Sequence, residues 1–159
     1  MKHKSSKIII TLFVIYAAVM LWLLFFQRTG RNIDTNYADH LKNAINIVPF
    51  RTISAYWREA SESGSFWAVK NLAGNIVLFI PAGVFLPCLW KKQRKFSAFI
   101  LTVTALIMCV ELIQLFTMLG SCDVDDLIFN VFGASLGYAV WRSIIAKFLF
   151  RNTKIGGRL

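Results

Sequence analysis

Four long apolar runs divide the chain, and each is long enough to cross a membrane as a helix. A helix rises about 1.5 Å per residue, so roughly 20 apolar residues span a hydrocarbon core about 30 Å thick. The predicted spans are residues 8–26, 71–90, 97–119 and 126–150. Lipid offers the backbone no hydrogen-bond partners, and four segments cannot close a barrel. The pattern therefore predicts an all-α, polytopic membrane protein with four transmembrane helices.

The segments outside the predicted spans differ widely in length. They are the N-terminus 1–7, the loop 27–70, the loop 91–96, the acidic loop 120–125 and the tail 151–159. A cleaved signal peptide is a competing interpretation of the first span. We disfavour it because the apolar run exceeds the roughly 7 to 15 residues of a signal-peptide core, and no small-residue cleavage site follows.

The long first loop is predicted to carry short structure of its own. Leu41, Ile45 and Val48 repeat at helical spacing, which predicts a short amphipathic helix. Pro49 ends this helix, because the residue before a proline is pushed out of the helical region. Residues 53–67 contain several aromatics of the kind found among lipid head groups, and they are predicted to lie on the outer membrane surface.

Composition and charge agree with the membrane interpretation. The mean hydropathy of +0.57, with 57% hydrophobic and 16% charged residues, excludes an ordinary soluble domain. The net charge is +10, and most Lys and Arg lie in residues 1–7, 91–96 and 142–158. The positive-inside rule places these segments and both termini in the cytoplasm and the other two loops outside. Topology thus explains the basic residues, and no nucleic-acid partner is expected. The three cysteines are an odd set, and no structural disulfide is expected.

Polar residues inside the spans converge on the outward leaflet. Counted along their helices at about 1.5 Å per residue, Asn75, Glu111 and Asn130 lie roughly 6 to 12 Å below the outer surface. Each requires a partner or a use, since polar groups are costly in lipid. Together with the acids of the third loop, the residues predicted to line an outward polar cavity are Asn71, Asn75, Glu111, Gln114, Asp123, Asp125, Asp126 and Asn130.

Several small residues and prolines are predicted to shape the helices around this cavity. Gly133 and Gly137 form a small-xxx-small pattern that lets a neighbouring backbone approach the face carrying Asn130. Pro81 frees a backbone carbonyl one turn earlier in the second span. The residues to which the sequence assigns a motif or structural role are Pro49, Phe50, Pro81, Gly83, Gly133 and Gly137.

Each polar feature also has a purely structural interpretation. Asp123 and Asp125 suit the N-cap of the fourth span, and the amide side chains suit interhelical hydrogen bonds. A carboxyl group as deep as that of Glu111 is expected to be paired, protonated or solvated. The acids have no His or Cys at ligand spacing, and the chain has no Ser-His-Asp or Cys-His arrangement. We therefore predict no metal, no cofactor and no triad hydrolase.

Four motifs stand in an order and spacing that resembles the VanZ-like family over about residues 43–140. They are Asn46-Ile-Val-Pro49-Phe50, Asn75-Ile-Val-Leu-Phe-Ile-Pro81-Ala-Gly83, Glu111-Leu-Ile-Gln114 and Asp123-Val-Asp125-Asp126-Leu-Ile-Phe-Asn130-Val-Phe-Gly133. The family consists of small bacterial membrane proteins named for an accessory factor in teicoplanin resistance. The resemblance implies a protein of the bacterial cytoplasmic membrane, linked in some members to glycopeptide resistance. Many members carry a basic residue in the loop after the third span, where this chain has Ser121-Cys122.

Three functional hypotheses follow. The first is a protein whose outer polar cavity binds membrane lipid, a lipid-linked cell-wall precursor or a glycopeptide and thereby lowers teicoplanin action. The second is a membrane enzyme that modifies a lipid-linked cell-wall intermediate, with Glu111 or Asp126 as general acid or base. The third is an envelope scaffold in which the polar set only holds the helices together. The sequence leaves the oligomeric state open.

Overall fold

The computed structural model describes residues 2–26, 36–63 and 67–145, with side chains described for 7–26, 36–58, 60–62 and 72–144. The predicted tail 151–159 and the side chain of Asn71 lie outside the described residues. The helices are α1 (Lys2–Phe25), α2 (Tyr37–Asn43), α3 (Arg51–Ser63), α4 (Trp67–Leu89), α5 (Phe96–Phe116) and α6 (Val124–Val140). Two short strands, β1 (Ile45–Asn46) and β2 (Cys122–Asp123), pair in parallel.

Four of these helices are long and apolar enough to cross a membrane, which confirms the predicted fold class. The stretches are Lys7–Phe25, Leu72–Leu89, Phe96–Phe116 and Val124–Ile144. The last runs through α6 into a π-helical turn, Trp141–Ile145. The connection between α4 and α5 is a 3₁₀ turn, Lys91–Arg94.

The core lies between α4, α5 and α6. Its buried apolar side chains are Phe79, Leu86, Phe99, Val103, Ile107, Ala134, Tyr138 and Trp141. Glycine brings α4 and α6 into direct backbone contact: a Cβ on Gly133 would collide with the Ile76 backbone, and one on Gly137 with the Ile80 carbonyl. A Cβ on Gly83 would meet α6 in the same way. The small-xxx-small pattern of Gly133 and Gly137 therefore lies where α6 contacts α4.

Helix α1 lies at the edge of this core. Many of its apolar side chains are exposed, as expected of a helix that faces lipid, while a single stripe that includes Phe13, Tyr16 and Leu24 is partly or fully buried. Tyr16 donates a hydrogen bond to the Leu78 carbonyl at 2.8 Å and packs its ring against Phe85. Phe13 contacts the same ring and that of Trp90. These aromatic contacts attach α1 to α4.

The chain between α1 and α4 folds back onto the start of α6 through the strand pair. Ile45 pairs with Cys122 and Asn46 with Asp123, and the Cys122 N–H donates to the Ala44 carbonyl at 2.8 Å. The predicted amphipathic helix through Val48 was wrong in extent, because α2 ends at Asn43 and the chain then extends. Strand pairing over long sequence separation overrode the local helical spacing.

Helix α5 ends in a left-handed cap that sets the direction of the loop before β2. Met118 has φ +57°, its N–H donates to the Leu115 carbonyl at 3.2 Å, and the Leu119 N–H donates to the Gln114 carbonyl at 2.9 Å. This is the hydrogen-bond pattern of a Schellman motif, usually made with glycine. It turns the chain sharply, so that Cys122 and Asp123 reach β1.

Candidate functional site

The candidate site lies at the end of the bundle where α5 ends and α6 begins. We call residues 36–63 together with residues 117–126 the polar end of the molecule. Its organising group is the carboxylate of Asp125, whose residue is 0% exposed. One carboxylate oxygen accepts the Phe50 N–H at 2.6 Å, and the other accepts the N–H groups of Thr52 at 2.9 Å and Ile53 at 3.4 Å.

Asp125 thereby caps α3, a helix distant from it in sequence. The first N–H groups of any helix lack partners inside the helix, and a Ser, Thr, Asp or Asn side chain at the N-cap commonly supplies one. Here Phe50 precedes α3, and its side chain has no acceptor to offer. The Arg51 N–H donates to the Val48 carbonyl at 3.4 Å. The Asp125 carboxylate accepts the N–H groups of Thr52 and Ile53, and its position at the start of α3 complements the helix dipole.

Asp123 links the two strands to both neighbouring helices. One oxygen accepts the Asp125 N–H at 2.8 Å, which makes Asp123 the N-cap of α6, as the sequence predicted for one of these acids. The same oxygen accepts the Asn46 amide at 3.0 Å, and the other accepts the Thr52 hydroxyl at 2.5 Å. The Asp123 N–H points to the Glu111 carboxylate at 3.5 Å. Asp123 therefore caps α6 and also joins it to α3 through Thr52.

The remaining predicted residues fall into separate contacts rather than one cluster. The Asn75 amide donates to the Asp126 carboxylate at 2.5 Å, joining α4 to α6. The Gln114 amide donates to the Leu24 carbonyl at 2.8 Å, joining α5 to α1. Asn130 is 3% exposed, and its amide oxygen has no hydrogen-bond partner within the described residues. Asn75 and Asp126 therefore meet, whereas Gln114 faces a different helix.

A shallow pocket of about 270 Å³ opens at the polar end, between the strand pair and α3. Polar side chains supply much of its wall: two amides, a guanidinium, two hydroxyls and a carboxylate. The lining residues are Asn43, Ala44, Ile45, Asn46, Arg51, Thr52, Ala55, Ser121 and Asp123. Of these, the sequence predicted only Asp123 as a cavity residue.

Two further groups lie at the polar end that were not among the predicted cavity residues. His40, in α2, is buried, and its Nε2 has no hydrogen-bond partner in the part of the chain that the structure describes. Burial raises the pKa of the Cys122 thiol, and the carboxylates of Glu111 and Asp123 raise it further. Neutral thiol is therefore the favoured form of Cys122.

The arrangement does not build a metal centre from the described side chains. Among residues 7–26, 36–58, 60–62 and 72–144, where side chains are described, no group of three or more His, Cys, Asp or Glu is placed to hold a metal ion. The acids instead accept hydrogen bonds from the backbone and from neutral side chains. Such a site can position segments of the chain and present donors and acceptors to a polar ligand.

The fold and this site define a class of protein: a membrane protein with four transmembrane helices and a polar end formed by the loops at one side of the bundle. The chain belongs to the VanZ/LLP1 family, whose model matches residues 13–149. It is 26% identical over 130 residues to Protein VanZ of Enterococcus faecium, an alignment that covers 82% of this chain and 71% of that protein. No solved structure matches the chain. These matches confirm the resemblance to the VanZ-like family and support a bacterial membrane protein.

Proposed function

We propose that this VanZ-like protein lies in the bacterial cytoplasmic membrane with its polar end outward. There it binds the head group of a cell-envelope lipid or a glycopeptide and contributes to teicoplanin resistance. The observation that carries the proposal is the pocket between β1, β2 and α3, where an exposed Arg51 and the amide of Asn43 accompany the carboxylate of Asp123. The basic segments at the opposite end of the helices support the outward orientation through the positive-inside rule.

The contacts divide the polar residues into those that hold the pocket and those that are available to a ligand. Asp125 is fully buried and engaged by three N–H groups, so it acts on a ligand only by positioning α3. Arg51 and Ser121 line the pocket and are exposed. A guanidinium together with hydroxyl and amide groups suits the sugars, peptides and phosphates of envelope molecules.

Teicoplanin is a physically sensible target for a protein of this shape. Its fatty-acyl tail holds the glycopeptide at the membrane, so its polar part is presented near the outer surface. A pocket at the end of a transmembrane bundle lies at that level. A protein that binds the drug or its lipid-linked target there lowers the amount of productive complex by mass action.

The test is the inhibitory concentration of teicoplanin for a susceptible Gram-positive host that expresses each variant at matched membrane levels. Arg51→Ala removes the guanidinium, and Ser121→Trp fills the pocket. The matched controls are Lys42→Ala and Ser61→Trp, which alter exposed residues outside the lining. We expect the wild type and both controls to protect, and both pocket variants to lose protection. A glycopeptide without an acyl tail serves as the comparison drug.

Equal protection by all four variants would refute the pocket as the binding site. Absence of protection even by the wild type would refute the resistance role. Mass spectrometry of the envelope lipids, with and without the protein, separates binding from catalysis, because only an enzyme leaves a new covalent product. With the three native cysteines replaced by alanine, labelling of a cysteine introduced at Ser121 by an impermeant reagent on intact cells tests the outward orientation.

A further inference from the structure

Residues Ile47–Phe50 form an apolar tip on the surface of the polar end. Ile47 is 79% exposed, Val48 52% and Phe50 61%, although all three are large hydrophobic residues. Runs of adjacent apolar side chains seldom face water in proteins, because each exposed group forfeits the hydrophobic gain of burial. Such a run usually marks a contact with a protein or a membrane.

The fold holds the tip in its exposed position. The Asn46 side-chain oxygen accepts the Val48 N–H at 3.2 Å, and the buried Asp125 carboxylate accepts the Phe50 N–H at 2.6 Å. Phe50 has φ +64°, a conformation that an aromatic residue rarely adopts without support. These hydrogen bonds hold the backbone of Val48 and Phe50 in the conformation that exposes the tip.

The level of the tip along the bundle follows from the same hydrogen bond. Asp125 belongs to the first turn of α6, and the membrane-spanning stretch of that helix begins at Val124. Ile113 and Phe116, at the corresponding end of α5, are also exposed apolar residues. The tip thus lies at the level where the lipid-facing surface of the bundle begins.

Basic side chains follow the tip on α3. Arg51 and Arg58 are both exposed, and their separation of seven residues places them on one face of the helix. Trp57, beside Arg58, is exposed as well. Apolar, aromatic and basic groups together fit the boundary of a bilayer, where acyl chains, carbonyl groups and anionic phosphates are layered over a short distance.

We propose that the Ile47–Phe50 tip inserts into the boundary between head groups and acyl chains of the leaflet at the polar end. Arg51 and Arg58 then lie at the level of the lipid phosphates. The occupant of the exposed apolar surface is therefore lipid of the surrounding membrane. This inference rests on the fold and not on the proposed function, so that either can fail without the other.

The test uses spin labels in the full chain, reconstituted in vesicles of phosphatidylglycerol and phosphatidylethanolamine. The three native cysteines are replaced by alanine, and single cysteines are introduced at Ile47 and, separately, at Val48. Collisions with oxygen, which dissolves in lipid, are compared with collisions with a water-soluble nickel chelate. Ser121 gives the reference for water and Leu101, exposed within α5, the reference for lipid.

We expect oxygen collisions to exceed chelate collisions at both tip positions, the reverse of the result at Ser121 and in the direction of Leu101. Labels at the tip that match Ser121 would overturn the proposal, because the tip would then face water. Labels shielded from both reagents would also overturn it, because a protein partner or a second copy would then cover the tip. As a control, each labelled chain must unfold at the same thermal midpoint as the unlabelled cysteine-free protein, so that the readings come from folded protein.

Discussion

The contact between α4 and α6 and the attachment of α3 both use α6, but they are held by different forces. At the first, Gly83, Gly133 and Gly137 let two backbones touch, so the contact depends on shape. At the second, the Asp125 carboxylate accepts three N–H groups at the start of α3, so the contact depends on hydrogen bonds. The α4–α6 contact depends on glycines, which have no side chain, whereas the attachment of α3 depends on the side chain of Asp125.

The difference follows from where each contact lies. Between helices in lipid there is no hydrophobic gain from association, and close packing is the main source of attraction. At the end of the bundle, helix N–H groups require acceptors whether or not water reaches them. The first contact therefore tolerates changes of pH and salt but not of volume. The second tolerates changes of volume on its exposed side but not the loss of its acceptor.

The largest effect is expected from adding one methyl group to the α4–α6 contact. In Gly137→Ala the new Cβ would overlap the Ile80 carbonyl, which is backbone and cannot rotate away. The helices must separate, and overpacking of this kind costs about 3 kcal/mol. We expect a clearly lower thermal unfolding midpoint in detergent. Gly74→Ala is the matched control, because nothing lies within 4 Å of a Cβ at that position on α4.

An unchanged midpoint for Gly137→Ala would show that the two helices are not in backbone contact. A loss of stability in Gly74→Ala as large as in Gly137→Ala would mean that added bulk anywhere in the bundle is harmful, and the comparison would lose its meaning. The helix propensity of alanine favours both variants equally, so it does not confuse the result.

The second effect is expected from removing the acceptor at the start of α3. Asp125→Ala leaves the N–H groups of Phe50, Thr52 and Ile53 without their partner, at a cost of about 2 kcal/mol. We expect faster amide hydrogen exchange in α3, while exchange in α4 and α6 stays slow. Because the hydrogen bonds that join α3 to Asp123 and Asp125 lie at the start of the helix, loss of the cap should loosen it locally.

The matched control for this variant is Glu62→Gln, which removes a carboxylate from the exposed side of the same helix. It should leave exchange in α3 unchanged. If Asp125→Ala instead accelerates exchange throughout α4 and α6, the carboxylate supports the whole bundle. The division into a packed contact and a hydrogen-bonded contact would then be wrong.

The same two contacts show what sequence alone can predict. The spans and the glycine face follow from residue types repeated along one helix, so hydropathy and spacing were sufficient to find them. The Asn75–Asp126 pair could be anticipated as two polar groups in one leaflet. No local pattern, however, joins Asp125 to Phe50, since the link depends on the path of the chain between α1 and α4.

One local signal for that link did exist. Phe50 follows a proline and directly precedes α3, and neither residue offers a side-chain acceptor, so α3 needs a cap from elsewhere in the chain. The pocket has no comparable signal in the sequence, because Asn43, Arg51 and Ser121 come from the end of α2, the start of α3 and the loop before β2, which meet only in the fold. The predicted polar residues make separate contacts in the structure, because depth in the membrane does not determine which helix a side chain faces.

The smallest expected effect concerns Cys122, whose thiol reports on the charges at the polar end. Burial and the carboxylates of Glu111 and Asp123 raise its pKa, so thiolate forms only at a higher pH than for a free cysteine. Alkylation should therefore be slow near neutral pH and should rise as the pH increases. Asp123→Asn removes one of the negative charges, which lowers the pKa of Cys122 and should accelerate alkylation a few-fold near neutral pH.

The full dependence of the alkylation rate on pH separates charge from access. With Cys88 and Cys109 replaced by alanine, Cys122 is the reacting thiol. A lower midpoint pH with an unchanged plateau rate in Asp123→Asn means that the carboxylate acts through its charge. A higher plateau with the same midpoint would mean that loss of the Asn46 and Thr52 contacts opens the loop. Asp123 would then limit the access of reagent to Cys122 by holding the loop closed, a steric effect like that of the glycines on the spacing of α4 and α6.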